Sequence, residues 1–221
     1  MCRFLLVKSK QSFKPKLFLD QFADMAEMSR APDGDRQGDG WGVAVKMLND
    51  QFQISKNLKP VWECRDMFDA FSQTQVLAVH ARSASFPNQK GIIEYNQPYI
   101  DGARCFVFNG VIQGVQLDRP LVGKIGAQKI FSLIQEELKT KNPKEVLSIV
   151  KQLLQEHARK IVGLNIGLIV NNKLYSLCEY ADNSAYFGLK YFSDEHISMI
   201  CSEPFGEYAW KTMQKGEILE V

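Results

Sequence analysis

The chain has 221 residues, 45% of them hydrophobic and 24% charged, with 27 Lys plus Arg against 25 Asp plus Glu and a formal net charge of +2. That composition excludes a disordered chain, a collagen-like repeat and a small disulfide scaffold; the near-neutral balance gives no reason to expect nucleic acid or an anionic membrane as partner. The longest apolar runs, such as Val162 to Val170, are too short to span a bilayer, and the apolar run before Lys8 is too short for a signal-peptide core. The cysteines, Cys2, Cys64, Cys105, Cys178 and Cys201, are odd in number, widely spaced and never in a C-x-x-C pair. That pattern suits a reducing cytoplasm rather than a disulfide framework or a structural zinc site.

In chain order, Arg3 to Val7 reads as a short buried strand. A helix is expected from about Pro15 to Met28, with Leu17, Phe18, Phe22, Met25 and Met28 at helical spacing. The Gly- and Asp-rich stretch from Ala31 to Gly40 must be loop, and Trp41 to Met47 a strand. Val76–Val79 and Cys105–Phe108 read as buried strands ending at His80 and Asn109. A helix follows from Gln128 to Leu138, then a second announced by Asn142 as N-cap, Pro143 in the first turn and Glu145 soon after. The remainder is strand-like: Leu164–Val170, Lys173–Glu179, Tyr186–Leu189, His196–Cys201 and Glu217–Val221, with Asn171-Asn172 as a tight hairpin turn. Strands grouped at both ends around two adjacent helices give α+β, helices packed on antiparallel sheet, in one domain.

Cys2 is the first candidate for chemistry. If Met1 is trimmed, the thiol and a free α-amine share one residue, and an α-amine with an ordinary pKa of about 7.7–8.0 can take the thiol proton. The plain alternative is a buried cysteine that happens to fall second. An Arg at a strand end, Arg82, can grip a carboxylate through two hydrogen bonds. Asn109 beside the Gly110 N–H offers two donors to one oxyanion. Taken singly, these are equally a surface Arg and a common Asn-Gly turn.

Their order changes the weighting. Cys2-Arg3-Phe4, Gly38-Asp39-Gly40-Trp41-Gly42, His80-Ala81-Arg82, Asn96-Gln97-Pro98-Tyr99 and Phe108-Asn109-Gly110-Val111-Ile112 together resemble the class II glutamine amidotransferases, in their stand-alone branch. The resemblance implies a four-layer αββα sandwich, the N-terminal-nucleophile hydrolase fold, spanning residues 2–221 after loss of Met1. It implies Cys2 as nucleophile with its own α-amine as base, Asn109 and Gly110 as oxyanion hole, and Arg82 on the α-carboxylate of glutamine. Ser85 would stand where the family often has Thr, with Trp41, Gly42 and Asn96 shaping the pocket. No metal or organic cofactor is required, and His80, His157 and His196 are structural. The implied substrate is glutamine or a γ-glutamyl amide, cleaved through a thioester. With the whole length taken by the hydrolase domain, ammonia is either passed to a partner synthetase chain or simply released. One position departs from the pattern: Gly126 falls where the family carries the Asp that binds the α-ammonium of glutamine, with Glu94, Asp101 and Asp118 as candidate substitutes. That departure keeps a second class open, a non-catalytic or regulatory domain retaining the fold. Ser-His-Asp hydrolysis is disfavoured, since no G-x-S-x-G occurs.

Overall fold

The computed structural model describes residues 1–221. Strand β1 runs from Arg3 to Phe13 and helix α1 from Lys16 to Met28. Strands β2 (Trp41–Lys46), β3 (Phe52–Asn57) and β4 (Thr74–Ala81) follow. Strands β5 (Tyr99–Asp101) and β6 (Arg104–Gln113) precede helices α2 (Gly126–Glu137) and α3 (Pro143–His157). Beyond them lie β7 (Lys160–Val170), β8 (Lys173–Leu177), the short helix α4 (Ser184–Phe187), β9 (Lys190–Ser193), β10 (Ile197–Cys201), β11 (Lys211–Thr212) and β12 (Ile218–Glu220).

The strands form a seven-stranded sheet in the order β11-β9-β10-β1-β4-β2-β3 and a five-stranded sheet in the order β12-β8-β7-β6-β5. Every pairing is antiparallel. Side-chain alternation along β1 explains the layering. Leu5 and Val7 turn to one side, where they pack with Phe18, Leu19 and Phe22 of α1. Phe4 and Leu6 turn to the other, against Cys105, Val107 and Ile169 of the second sheet. The outer face of that second sheet, through Phe106 and Leu168, is covered by Ile130, Ile134, Val146 and Val150 of α2 and α3. The result is four layers, αββα, the α+β sandwich the sequence implies.

The terminal signals of α3 act as expected. Asn142 Oδ1 accepts from the Glu145 N–H at 3.0 Å and the Glu145 carboxylate accepts from the Asn142 N–H at 3.2 Å. The hairpin at Asn171-Asn172 is also present, with both residues at positive φ (51° and 59°), the conformation a two-residue turn requires.

Three readings need correction. Tyr186–Leu189 is not a strand: Ser184–Phe187 forms a helical turn, with Tyr186 and Phe187 packed edge-to-face at 5.1 Å. A short apolar run carries no period that separates the two states. The strand at β9 begins just after it. His80 and Asn109 do not end strands; both lie inside longer ones, because β7 continues pairing with β6 from Asn109↔Asn165 through Gly110↔Leu164 to Gln113↔Lys160. The Asn-Gly pair is therefore no turn. Helix α2 starts at Gly126, two residues before the expected Gln128.

The two sheets approach closely at Gly167, where an added Cβ would meet Val107 Cγ2 at 2.7 Å and Leu6 Cδ1 at 3.0 Å. A Gly167→Val substitution is expected to destabilise the fold by about 1–3 kcal/mol through overpacking. A denaturant midpoint unchanged from the native chain would show that the inter-sheet layer has slack.

Candidate active site

The site lies at the start of β1. Arg3 holds that end in place: its guanidinium is 2% exposed and pairs with Glu203 at 2.7 Å. It also donates to Ser29 Oγ at 2.8 Å and to the Tyr186 carbonyl at 3.0 Å, while lying 3.7 Å over the Tyr186 ring. The Met1 carbonyl accepts from Gln37 Nε2 at 3.0 Å and from the Tyr186 hydroxyl at 3.1 Å. The terminal ammonium donates to Ser83 Oγ at 2.8 Å, and Asp35 accepts from the same hydroxyl. Sequence reading missed this group. Of its members, Arg3 stands in the motif Cys2-Arg3-Phe4, but nothing in the sequence pointed to its partners.

Cys2 is partly buried, with its thiol 3.5 Å from the Ser83 carbonyl. Burial pushes the thiol above its ordinary pKa; the neighbouring terminal ammonium, the Ser83 contact and Arg82 pull it back, and Asp39 adds to the rise. Cys2 opens on a cavity of about 100 Å³ whose wall includes Arg82, Ser85, Tyr95, Gln97, Gly110 and Gly126. Four of the expected site residues, Cys2, Arg82, Ser85 and Gly110, therefore meet in one space.

Arg82 is 4% exposed. Its Nη2 donates to the Gln89 carbonyl at 2.8 Å, its guanidinium lies 5.8 Å from the Tyr95 ring centroid, and its Nη1 has no partner. Arg82 is thus a buried guanidinium with one nitrogen unpaired, and the only cationic side chain among the residues lining the cavity. Gly110 must lack a side chain, since a Cβ there would collide with the Gly163 carbonyl of β7. Asn109 is fully buried, and both its amide oxygen and nitrogen lack partners. By alternation along β6, Phe108 and Gly110 face the cavity, while Asn109 follows Cys105 and Val107 into the layer between the sheets. That is also the layer into which Phe4, two residues beyond Cys2, is turned. Leaving a carboxamide unpaired there costs about 1–3 kcal/mol per group, a cost that function can explain.

Trp41, Gly42 and Asn96 stand behind the cavity and do not line it. Trp41 is fully buried and packs edge-to-face on Phe68 at 5.6 Å. Asn96 Nδ2 donates to the Asn57 carbonyl at 2.8 Å. Gly40 and Gly42 leave room for the Asn96-Gln97 backbone, because a Cβ on either would strike it or its side chains. Gln97 in turn brackets Phe108, accepting its N–H at 2.5 Å and donating to its carbonyl at 3.3 Å. The segment thus fixes the strand that bears Asn109 and Gly110. His80 is fully buried, with Nε2 3.2 Å from the Phe108 carbonyl, and desolvation lowers its pKa to about 3. It is neutral and structural. Glu94, Asp101 and Asp118 are all absent from the cavity wall, and Asp101 pairs with Arg104 in the β5–β6 hairpin. No three His, Cys, Asp or Glu side chains gather where a metal ion could be held, and no helix is long and apolar enough to cross a membrane.

No model of a known protein family matches the sequence, and no curated protein matches it either. Solved structures do. A glutamine aminotransferase class-II domain protein from Silicibacter pomeroyi is similar over 99% of this chain and 94% of its own, with TM-score 0.66 and 15% identity. A predicted glutamine amidotransferase from Pseudomonas aeruginosa is similar over 99% of this chain and 96% of its own, with TM-score 0.58 and 17% identity. The phosphoribosylpyrophosphate amidotransferase of B. subtilis, solved with ADP and GMP, matches over 99% of this chain but only 47% of its own, with TM-score 0.66 and 13% identity. The fold is that of the N-terminal-nucleophile hydrolases. Within them, it is the fold of the class II glutamine amidotransferase domains.

Two outcomes follow from the site's electrostatics. Because burial raises the Cys2 pKa and Arg82 lowers it, alkylation of Cys2 should rise towards alkaline pH, and Arg82→Gln should move that profile further alkaline. Intact-mass analysis after iodoacetamide treatment reads this, and an acid shift would contradict it. Removing the Arg3 charge leaves Glu203 and the Tyr186 carbonyl unmatched, so Arg3→Leu should cost about 1–3 kcal/mol in urea unfolding.

Proposed function

We propose that the protein is an N-terminal-cysteine amidohydrolase that cleaves a side-chain carboxamide, of glutamine or a γ-glutamyl amide, through a thioester. The observation that carries this reading is the convergence on one small cavity of Cys2, the Gly110 backbone and a buried Arg82 with an unpartnered Nη1. The amidotransferase fold of the solved neighbours supports the same reaction class.

In this mechanism Met1 is first removed, so that the Cys2 nitrogen becomes a free amine. Trimming also releases Gln37 and the Tyr186 hydroxyl, which the Met1 carbonyl occupies. The α-amine takes the thiol proton and the thiolate attacks the carboxamide carbon. Asn109 Nδ2 and the Gly110 N–H donate to the oxyanion, in a setting where fixed donors are strong because water is excluded. The carbon–nitrogen bond breaks, and ammonia or an amine leaves with the proton held by the α-ammonium. Water, deprotonated by the same amine, then hydrolyses the thioester and frees the carboxylate. Arg82 grips the substrate's own carboxylate throughout, fixing the carboxamide over Cys2.

Water resolves the thioester whether the ammonia is simply released or is passed to a second chain, where it would be the nucleophile of a separate reaction. The competing reading, a fold kept without turnover, rests on Gly126. The deciding measurement is intact mass after incubation with 6-diazo-5-oxo-norleucine, paired with ammonia release by the native chain and by Cys2→Ala. The expected result is a chain lacking Met1 with one adduct on Cys2, and ammonia release lost in the variant. Retained Met1, or equal release by both proteins, would refute the amidohydrolase.

A further inference from the structure

The small cavity reaches helix α2. Its wall there is the first turn of α2, Ile125, Gly126 and Ala127. Gly126, Ile112 and Ile130 also line a second cavity of about 470 Å³, whose other walls include Val115, Leu117 and Leu154. Gly126 is thus a shared wall residue, and the position a Cβ would take there has nothing within 4 Å. A longer side chain at this position would extend into open space beside both cavities.

The chemistry of this end opposes an ammonium group. No carboxylate lines either cavity. Ile125 stands at the N-cap of α2 with no side-chain acceptor, and Gln128 Oε1 is turned back to the Lys124 N–H at 2.8 Å. The first-turn N–H groups of α2 are therefore left as donors at the positive end of a helix of 12 residues. They suit a carbonyl oxygen and repel a cation. Arg82 is the only cationic side chain on the wall of the small cavity, and its Nη1 is unpaired.

Resting on the amidohydrolase reading above, we infer that the preferred substrate is an ω-carboxamide acid with an acylated α-nitrogen, an Nα-acyl glutamine. The carboxamide lies at Cys2 and the carboxylate at Arg82. The amide carbonyl on the α-nitrogen accepts from the first turn of α2. The acyl chain runs by Gly126 along the apolar side of the larger cavity, formed by Ile112, Val115, Leu117, Leu121, Ile130 and Leu154. Of the two cations on its wall, Arg119 is paired with Glu137 at 2.8 Å and Lys129 is the other. Acylation removes the α-ammonium, so no counter-ion is needed. Cleavage consumes one water and yields the Nα-acyl glutamate and ammonia.

The test measures binding and turnover separately. Calorimetry on Cys2→Ala, which cannot turn substrate over, compares L-glutamine, Nα-acetyl-glutamine and Nα-octanoyl-glutamine. Octanoyl-glutamine is expected to bind at least about 10-fold more tightly than glutamine. Gly126→Leu should abolish the octanoyl advantage. Gly126→Asp should tighten glutamine binding by about 10-fold, the value of one charge-assisted hydrogen bond. Circular dichroism establishes that both variants, at a helical position, are folded. Glutamine binding as tightly as the octanoyl compound, or an octanoyl advantage surviving Gly126→Leu, would overturn the inference while leaving an amidase that releases ammonia from glutamine. Octanoyl preference in binding with no ammonia released by the trimmed native chain would sink the amidohydrolase reading and keep the assignment of the acyl cavity.

Discussion

The Arg3 guanidinium is the contact on which the site depends. It is buried, yet every direction it points in is answered: Glu203, Ser29, the Tyr186 carbonyl and the Tyr186 ring. Burying a charge is tolerable only with such pairing. Its partners come from the end of α1, from α4 and from the segment after β10. One side chain therefore ties the first strand to distant parts of the chain and fixes where its neighbour, Cys2, points. The start of β1, and Cys2 with it, is thereby held from three separate parts of the chain.

Around that anchor, backbone proximity does most of the positioning. Gly40 and Gly42 admit the Asn96-Gln97 segment, and Gln97 then holds both polar groups of Phe108. Gly110 and Gly163 let β6 and β7 come close at the place where an oxyanion would be received. Residues that look like pocket walls in the sequence, Trp41, Gly42 and Asn96, act instead one layer behind, as spacers and braces. They hold the strand that bears Asn109 and Gly110, and Asn109 is one of several buried polar side chains left unpaired around this site.

Some features were legible in the residues and some were not. The Asn142-Pro143-Glu145 cap and the Asn171-Asn172 turn could be read directly, because their conformation is dictated by local hydrogen bonding and by left-handed backbone. Tyr186–Leu189 could not, because four apolar residues suit a strand or a helical turn equally until the aromatic packing around Phe187 decides. Asn109-Gly110 misled for a related reason: the pair favours turns, but the pairing with Asn165 and Leu164 outweighs that preference. The order of short polar motifs carried Cys2, Arg82, Ser85 and Gly110 into one cavity. The partners of Arg3 and the sharing of Gly126 between two cavities were not legible, since both depend on residues brought together from far apart.

The first residue is built into the fold around it. Met1 has a side chain only 13% exposed, its carbonyl is held by Gln37 and Tyr186, and its ammonium faces Ser83 and Asp35. Under the proposed mechanism, these contacts must be given up when Met1 is removed. A chain that keeps Met1 has the Cys2 nitrogen tied up in a peptide bond and, under that mechanism, has no amine to take the thiol proton.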